Sequence, residues 1–310
     1  MSKPRRPRRP VTGILLLDKP LGLSSNQALQ QVKRLYQAEK AGHTGSLDPL
    51  ATGMLPICLG EATKLSGVLL DSDKNYQARI RLGERTDTGD AEGEVIQRCD
   101  APIDRSRLER TLAAFRGTIK QVPPMYSALK HKGERLYALA RQGQEVERSP
   151  REVNIAQLEL TDWAPPELSV SVTCSKGTYI RTLAEDIAAA CGQCAHLRAL
   201  RRTAVAPFVD AAMVSIEQVE AAAAEGFEAL DALLLSPAEG LRHWPQLRID
   251  PERAAFLAQG QAVRVADVPR ECRVAVLDEG GRLLGLADSG SDGMVAPRRW
   301  LRQSVRDACG

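Results

Sequence analysis

The chain has 310 residues, of which 43% are hydrophobic and 26% charged, which is the composition of an ordinary globular protein. This composition excludes a chain that is wholly disordered, collagenous or coiled coil, and no apolar run approaches the ~18 residues of a membrane-spanning helix. The basic N-terminus is followed by no signal-peptide-like apolar stretch, so we expect a cytoplasmic protein that does not bind membranes.

The first ten residues account for the net charge of +3. They contain five Lys or Arg residues and no acidic one, whereas acidic residues outnumber basic ones in the rest of the chain. Alternating Pro and Arg cannot bury apolar surface, so we predict that residues 1–10 are disordered. This tail is either a solubilising extension or an arm that binds nucleic-acid phosphates without sequence preference.

Residues 11–244 alternate short strands and helices without a regular βαβ repeat. An apolar run over 11–17 predicts a buried strand, and Ser24 or Ser25 caps a helix that extends to about Tyr36. Residues 41–53 form a loop, and the later strands alternate in polarity. This pattern favours an α+β fold, in which helices pack on a mixed or antiparallel sheet. Further strands are predicted at 54–59, 75–82, 94–98, 151–160 and 167–174, and helices at 61–70, 106–115, 179–191 and 219–235.

The sequence changes character near residue 245. One short helix at 251–258 is followed by β-type segments at 262–265, 272–277 and 283–287, which predicts a small β-rich domain over 245–303. Residues 304–310 would then form a C-terminal tail. A basic segment near the end, Arg298, Arg299 and Arg302, either contacts RNA phosphates or belongs to a solvated strand.

The seven cysteines are widely spaced and do not form a secreted disulfide framework. Cys191 and Cys194, with His196 nearby, resemble half of a zinc site, but no second pair of ligands lies at a suitable spacing. We therefore predict a reduced packing pair and no metal. Motifs for nucleotide hydrolysis, dinucleotide binding, zinc proteolysis and serine hydrolysis are also missing, so we expect no cofactor.

Asp48 is the residue that most strongly indicates chemistry. It lies in a long loop of small, Gly and Pro residues, and such loops inside compact domains are often functional, although Asp-Pro is also a common turn initiator. Residues 42–53 (GHTGSLDPLATG) resemble the active-site motif of the TruB-type tRNA pseudouridine synthases, in which the aspartate is catalytic.

The resemblance continues in order along the chain, from residue 11 to about residue 302. The C-terminal part, from about residue 247, resembles a PUA domain, an RNA-binding β module. The other similar segments are 18–25 (DKPLGLSS), 73–76 (DKNY), 83–93 (GERTDTGDAEG), 122–128 (VPPMYSA) with Lys130, 175–183 (SKGTYIRTL) and 199–202 (ALRR).

The resemblance implies that the protein converts uridine-55 in the tRNA T-loop to pseudouridine, with tRNA as its partner and with neither cofactor, metal nor obligate protein partner. The catalytic residues would be Asp48 and Arg181, since a nearby guanidinium keeps a carboxylate charged. The flipped uridine would be bound by His43, Tyr76, Tyr179 and Leu200. Phosphate contacts or merely solvated lysines are predicted at Lys19, Lys64, Lys130 and Lys176.

Two other functions are compatible with parts of this pattern. A noncatalytic RNA-binding protein could use the same cleft, but a carboxylate such as Asp48 would repel phosphates there. A guide-RNA-dependent synthase subunit of the dyskerin type fits less well, because the chain lacks long Lys-rich extensions. The residues alone leave open whether Asp48 attacks ribose C1′ or uracil C6, or whether the reaction passes through a glycal.

Overall fold

The computed structural model describes residues 8–127 and 129–302, and its largest feature is a sheet of eight strands. The strands up to the C-terminal part are β1 Gly13–Lys19, β2 Ala41–His43, β3 Ala51–Leu59, β4 Lys74–Leu82, β5 Glu84–Thr86, β6 Val95–Arg98, β7 Gly117–Gln121, β8 Lys130–His131, β9 Glu134–Arg135, β10 Arg151–Ala164, β11 Glu167–Cys174 and β12 Ala195–Val205.

The large sheet has the order β1-β3-β12-β4-β11-β10-β7, with β2 also paired to β3. All of its pairings are antiparallel except that of β12 with β3, which is parallel. The sheet is therefore mixed, as the alternating strand patterns predict. Two short hairpins, β5–β6 and β8–β9, stand apart from it.

Helices pack on both faces of this sheet, since helical residues share one buried cluster with Leu15 and Leu17 and a second cluster with Ile14 and Leu16. The first of them starts at a capping box, in which Ser24 and Gln27 bond each other's backbone N–H groups. None of the described helices is long and apolar enough to cross a membrane. The helices are α1 Ser25–Leu35, α2 Ser66–Leu70, α3 Arg105–Ala114, α4 Leu136–Arg141, α5 Ile180–Ala190, α6 Ile216–Glu225, α7 Phe227–Ala232 and α8 Pro251–Ala258, with 3₁₀ helices at Gly60–Leu65 and Pro237–Leu241.

The C-terminal part forms a second sheet with its own small core. Its strands are β13 Gln246–Arg248, β14 Val263–Arg264, β15 Arg273–Leu277, β16 Leu283–Ser289 and β17 Met294–Trp300, in the order β13-β15-β16-β17-β14. This β-rich unit and the mixed sheet with packed helices confirm the predicted fold class.

The two sheets share a hydrophobic cluster. Ile14 and Met54 of the large sheet belong to the same buried cluster as Ala275 and Leu283 of the C-terminal sheet. A polar bond adds to this contact, since Lys64 Nζ donates to the Trp300 carbonyl oxygen at 2.6 Å. Because this apolar surface is shared, the C-terminal part is packed firmly on the large sheet.

Several predictions differ from the structure. The loop predicted over 41–53 is shorter, because Ala41–His43 forms β2 and β3 begins at Ala51. The helix predicted at 219–235 is split into α6 and α7 at Gly226, whose φ of 128° ends the first helix. The helix predicted at 61–70 begins as a 3₁₀ helix and becomes α-helical only from Ser66. Strand β12 had no prediction, because its charged residues hide the apolar alternation of a strand.

The basic tail is ordered at its C-terminal end. Arg9 forms an ion pair with Asp231, and its guanidinium lies 4.2 Å from the centre of the Phe227 ring. The prediction of disorder over 1–10 is therefore wrong for Arg9, because an ion pair and a cation–π contact hold it. Residues 1–7 and the predicted C-terminal tail lie outside the described residues.

The cysteine prediction is also wrong. Cys194 is not a reduced packing partner of Cys191, because its sulfur is bonded to that of Cys99, with the two Cα atoms 5.8 Å apart. Backbone bonds bring the two together: Cys99 N donates to Gly83 O, and Gly83 N donates to Cys194 O. Spacing along the sequence cannot reveal this pair, because its members are 95 residues apart.

Reduction of this disulfide is expected to lower the melting temperature by several degrees. A cross-link across 95 residues restricts the unfolded chain, and loops of that length correspond to ~4–5 kcal/mol in the chain-entropy account. Thermal unfolding with and without reductant tests this, with Cys99→Ser as the control that reductant should not affect. Equal melting temperatures for the oxidised and reduced wild type would contradict it.

Candidate active site

Asp48 lies in the segment between β2 and β3, and hydrogen bonds fix that segment on both sides of it. The buried Ser25 hydroxyl accepts from Leu47 N at 2.7 Å and donates to Leu47 O at 3.0 Å. On the other side, Gly22 N donates to Pro49 O at 2.9 Å. The loop thus has a defined conformation even though it belongs to no helix or strand.

Arg181, in the first turn of α5, forms an ion pair with Asp48. Its Nη2 lies 3.0 Å from Asp48 Oδ2, and the side chains are 7% and 49% exposed, respectively. The same guanidinium donates from Nη1 to Thr88 O at 2.7 Å and from Nη2 to Tyr126 O at 2.6 Å. The Arg181 guanidinium is therefore buried and fixed by hydrogen bonds, whereas the Asp48 carboxylate beside it remains partly open to solvent.

Asp90 completes this cluster, and sequence reasoning assigned it no role. Its Oδ2 lies 3.6 Å from Arg181 Nε, and its Oδ1 accepts from Thr88 Oγ1 at 2.7 Å and from Glu92 N at 3.1 Å. The β5–β6 hairpin that carries Asp90 is bonded to β12 through Leu197. The acidic segment 83–93 indicates that a carboxylate could act here, but the sequence does not distinguish Asp90 from the other acidic residues of that segment.

Opposing influences set the ionisation of Asp48. Although the carboxyl group is half-exposed, the walls of the cleft partly desolvate it and raise its pKa above the usual range, and the charge of Asp90 adds to this rise. The charge and hydrogen bond of Arg181, together with the charge of Lys19, lower that pKa. Arg181 and Asp90 therefore act on the pKa of Asp48 in opposite directions.

Lys19 is not available for phosphate contacts, contrary to the sequence prediction. Its side chain is fully buried, and its ammonium donates to Pro20 O at 2.8 Å and to Leu23 O at 2.5 Å. Burial lowers the pKa of Lys19 to about 8, and the negative charge of Asp48 opposes this change. Lys19 is thus an internal cation whose charge reaches Asp48.

Tyr76 and Leu200 lie on adjacent central strands beside the Asp48 loop. Leu200 of β12 is half-buried and aligned with Ala51, which begins β3 three residues after Asp48. Tyr76 of β4 is 9% exposed, and burial raises the pKa of its hydroxyl, with Asp48 as a weaker contributor in the same direction. The structure therefore places both residues on strands next to the segment that carries Asp48.

Tyr179 and His43 border the same region. Tyr179 immediately precedes α5, and its backbone exchanges hydrogen bonds with the buried Gln121 side chain. His43 ends β2 and is half-buried, and its buried Nδ1 has no partner within the described ranges. Burial and the charge of Arg202 lower the pKa of His43, which favours a neutral imidazole.

Sequence comparisons identify the family. The family described as "TruB family pseudouridylate synthase (N terminal domain)" matches residues 33–180, and "tRNA pseudouridylate synthase B C-terminal domain" matches 181–241. "Pseudouridine synthase II TruB, C-terminal" matches 245–301. The chain is 51% identical over 303 residues to tRNA pseudouridine synthase B of Pseudomonas aeruginosa (strain UCBPP-PA14), covering 97% of this chain and 100% of that protein. It is 53% identical to the protein of that name from Nitrosococcus oceani, covering 97% and 98%.

Solved structures share the fold at lower sequence identity. One is an H/ACA RNP bound to a substrate RNA containing 2'-deoxyuridine, with a TM-score of 0.73, 23% identity and coverage of 94% of this chain and 85% of that one. A Cbf5-Nop10-Gar1 complex has the same TM-score with 24% identity, covering 94% and 84%. These two likenesses support the fold, whereas the full-length sequence matches decide membership: the chain belongs to the TruB family of pseudouridylate synthases and is an isomerase.

Proposed function

We propose that the protein isomerises uridine-55 in the T-loop of tRNA to pseudouridine, by base flipping followed by an aspartate-dependent rearrangement. The observation that carries this proposal is the half-exposed Asp48 carboxylate, held by a buried Arg181 that two backbone carbonyls fix in place. The curated relatives, named tRNA pseudouridine synthase B, support tRNA as the substrate.

The reaction transfers ribose C1′ from uracil N1 to uracil C5. The N1–C1′ bond breaks, the base rotates, and the C5–C1′ bond forms; C5 loses a proton and N1 gains one, so no group enters or leaves. An anionic carboxylate beside the ribose and base serves each of the three available routes, namely attack on C1′, attack on C6, or passage through a glycal. Asp48 would supply this carboxylate.

Arg181 would hold the carboxylate in a reactive geometry. It binds Oδ2 of Asp48, while Oδ1 accepts no hydrogen bond from the part of the chain that the structure describes. One oxygen is therefore anchored and the other can face the substrate. Because Arg181 also counteracts the effect of burial on the pKa of Asp48, it favours the ionised form that the reaction uses.

The uridine must leave the T-loop stack before its glycosidic bond can reach Asp48. Tyr76 would provide the aromatic surface on which the flipped base stacks, and Tyr179 and Leu200 would enclose it. The neutral imidazole that burial favours at His43 would contact the rearranged loop and hold the target nucleotide out. Tyr76 and Leu200 lie on the adjacent strands β4 and β12, Tyr179 lies immediately before α5, and His43 ends β2, which leads into the Asp48 segment.

The C-terminal, PUA-like domain would bind the T-stem through phosphates. Its last strand carries Arg298 and Arg299, whose side chains are exposed although Arg298 pairs with Asp288. The shared core under this domain would keep its arginines at a constant distance from the catalytic cleft. Binding of this kind weakens as salt concentration rises.

The proposal is tested with purified protein and an unmodified tRNA transcript, without added nucleotide or partner protein. Sequencing of the product should show pseudouridine at position 55 and at no other position. A transcript with cytidine at position 55 serves as the control and should remain unmodified. Failure to form pseudouridine, or formation at other positions only, would contradict the proposal.

A further inference from the structure

Arg202 is an unusual residue for the centre of a sheet. It lies on β12, aligned with Gly53 on one neighbouring strand and with Tyr76 on the other, and it is only 1% exposed. Within the described ranges, no carboxylate oxygen lies within salt-bridge distance of its guanidinium. Burying a charge without a counterion is unfavourable, and an apolar side chain of similar size would fit a core more stably.

The guanidinium instead binds backbone oxygens on both sides of Asp48. Its Nε donates to Met54 O at 2.7 Å, after the catalytic residue. Its Nη2 donates to Gly45 O at 3.3 Å, and its Nη1 lies 3.5 Å from Ser46 O, before the catalytic residue. The two ends of the catalytic loop therefore meet on a single side chain.

Gly53 allows this arrangement. Its φ is +100°, and a Cβ atom there would lie 2.2 Å from the Arg202 carbonyl oxygen. Only glycine permits β3 to approach β12 so closely while adopting this φ. The same close approach places the Arg202 side chain beneath the loop.

The charge of Arg202 also shifts the pKa values of three other residues. After burial, it is the largest influence that lowers the pKa of His43 and that of Lys74. It also opposes the effect of burial on the pKa of Tyr76. Its hydrogen bonds thus join Arg202 to both ends of the Asp48 loop, and its register places it on the strand next to Tyr76.

We propose that Arg202 is a positioning residue for the reaction: it fixes the Asp48 loop and the neighbouring Tyr76 from beneath the pocket, without touching the substrate. This inference rests on the proposed function of the cleft. Lysine cannot replace it, because a single ammonium cannot reach carbonyl oxygens at both ends of the loop in the way that a planar guanidinium does.

The test compares Arg202→Lys and Arg202→Gln with the wild type. Melting temperature, tRNA dissociation constant and single-turnover rate at saturating tRNA are measured for each. We expect folded variants that bind tRNA within about twofold of the wild type, with rates reduced ~10–100-fold, since small displacements of reacting groups have effects of this size. The control is Arg116→Lys, because Arg116 also donates from two nitrogens to one backbone oxygen, Leu158 O.

Three results would overturn the inference. One is a wild-type single-turnover rate in either folded Arg202 variant, and another is a loss confined to tRNA affinity. The third is failure of both variants to unfold cooperatively, which would make Arg202 a structural residue only. The wild type in the same assay reports separately on the proposed function, because that function fails only if the wild type forms no pseudouridine-55.

Discussion

Replacement of Asp48 by Asn is expected to abolish pseudouridine formation while the protein still folds and binds tRNA. The amide has nearly the same size as the carboxylate but is neither anionic nor nucleophilic. We expect the single-turnover rate to fall on the order of 10⁴-fold or more, the scale of losses when a nucleophile is removed. Rates and tRNA dissociation constants are measured side by side.

Asp162→Asn is a suitable control for this variant, because Asp162 is an exposed aspartate on β10. It should leave both the rate and the affinity unchanged. Normal turnover by Asp48→Asn would show that the catalytic group lies elsewhere. Loss of tRNA binding together with turnover would show that Asp48 acts in binding and not in chemistry.

Replacement of Arg181 is expected to have the second largest effect. Arg181→Met would leave the carboxylates of Asp48 and Asp90 unpaired and the carbonyls of Thr88 and Tyr126 without their donor. Removing one partner of a buried charge cluster commonly destabilises a protein by ~3–5 kcal/mol. We therefore expect a lower melting temperature in addition to a large loss of rate.

Arg181→Lys separates charge from geometry. It retains the positive charge, but one nitrogen cannot serve the four acceptors around the guanidinium, so we expect a rate reduced by about 10²–10³-fold with little change in tRNA affinity. Arg85→Lys is the control. Arg85 is an exposed arginine on β5, and it pairs with Glu185, which lies on α5 as Arg181 does. A wild-type rate in Arg181→Lys would contradict the role of the guanidinium fork.

The Asp48–Arg181 pair could be predicted because both residues lie in long, specific sequence motifs. The distance between them could not be derived from spacing along the sequence, since it depends on how α5 packs beside the segment that carries Asp48. Asp90 was harder to find, because it is one of several acidic residues in its segment. Only the folded hairpin shows which of them faces Arg181.

Buried charged residues were the main source of error. Lysine and arginine are usually exposed, so the sequence predicts Lys19 as a phosphate contact or a solvated lysine and does not predict β12 as a strand. In the structure, backbone carbonyls surround both the Lys19 ammonium and the Arg202 guanidinium. Such carbonyl-lined sites for buried cations form only when segments that are far apart in the sequence come together in the fold. The same reason explains why the Cys99–Cys194 bond could not be predicted.

In the proposed reaction, an ionised Asp48 carries the chemistry, and its charged neighbours set its pKa. The most direct test is the pH dependence of the single-turnover rate, measured for the wild type and for Asp90→Asn at saturating tRNA. The wild-type rate should fall as acid protonates Asp48. Asp90→Asn removes a charge that raises the pKa of Asp48, so its acid limb should lie at lower pH. An acid limb that stays in place or moves to higher pH would contradict the claim.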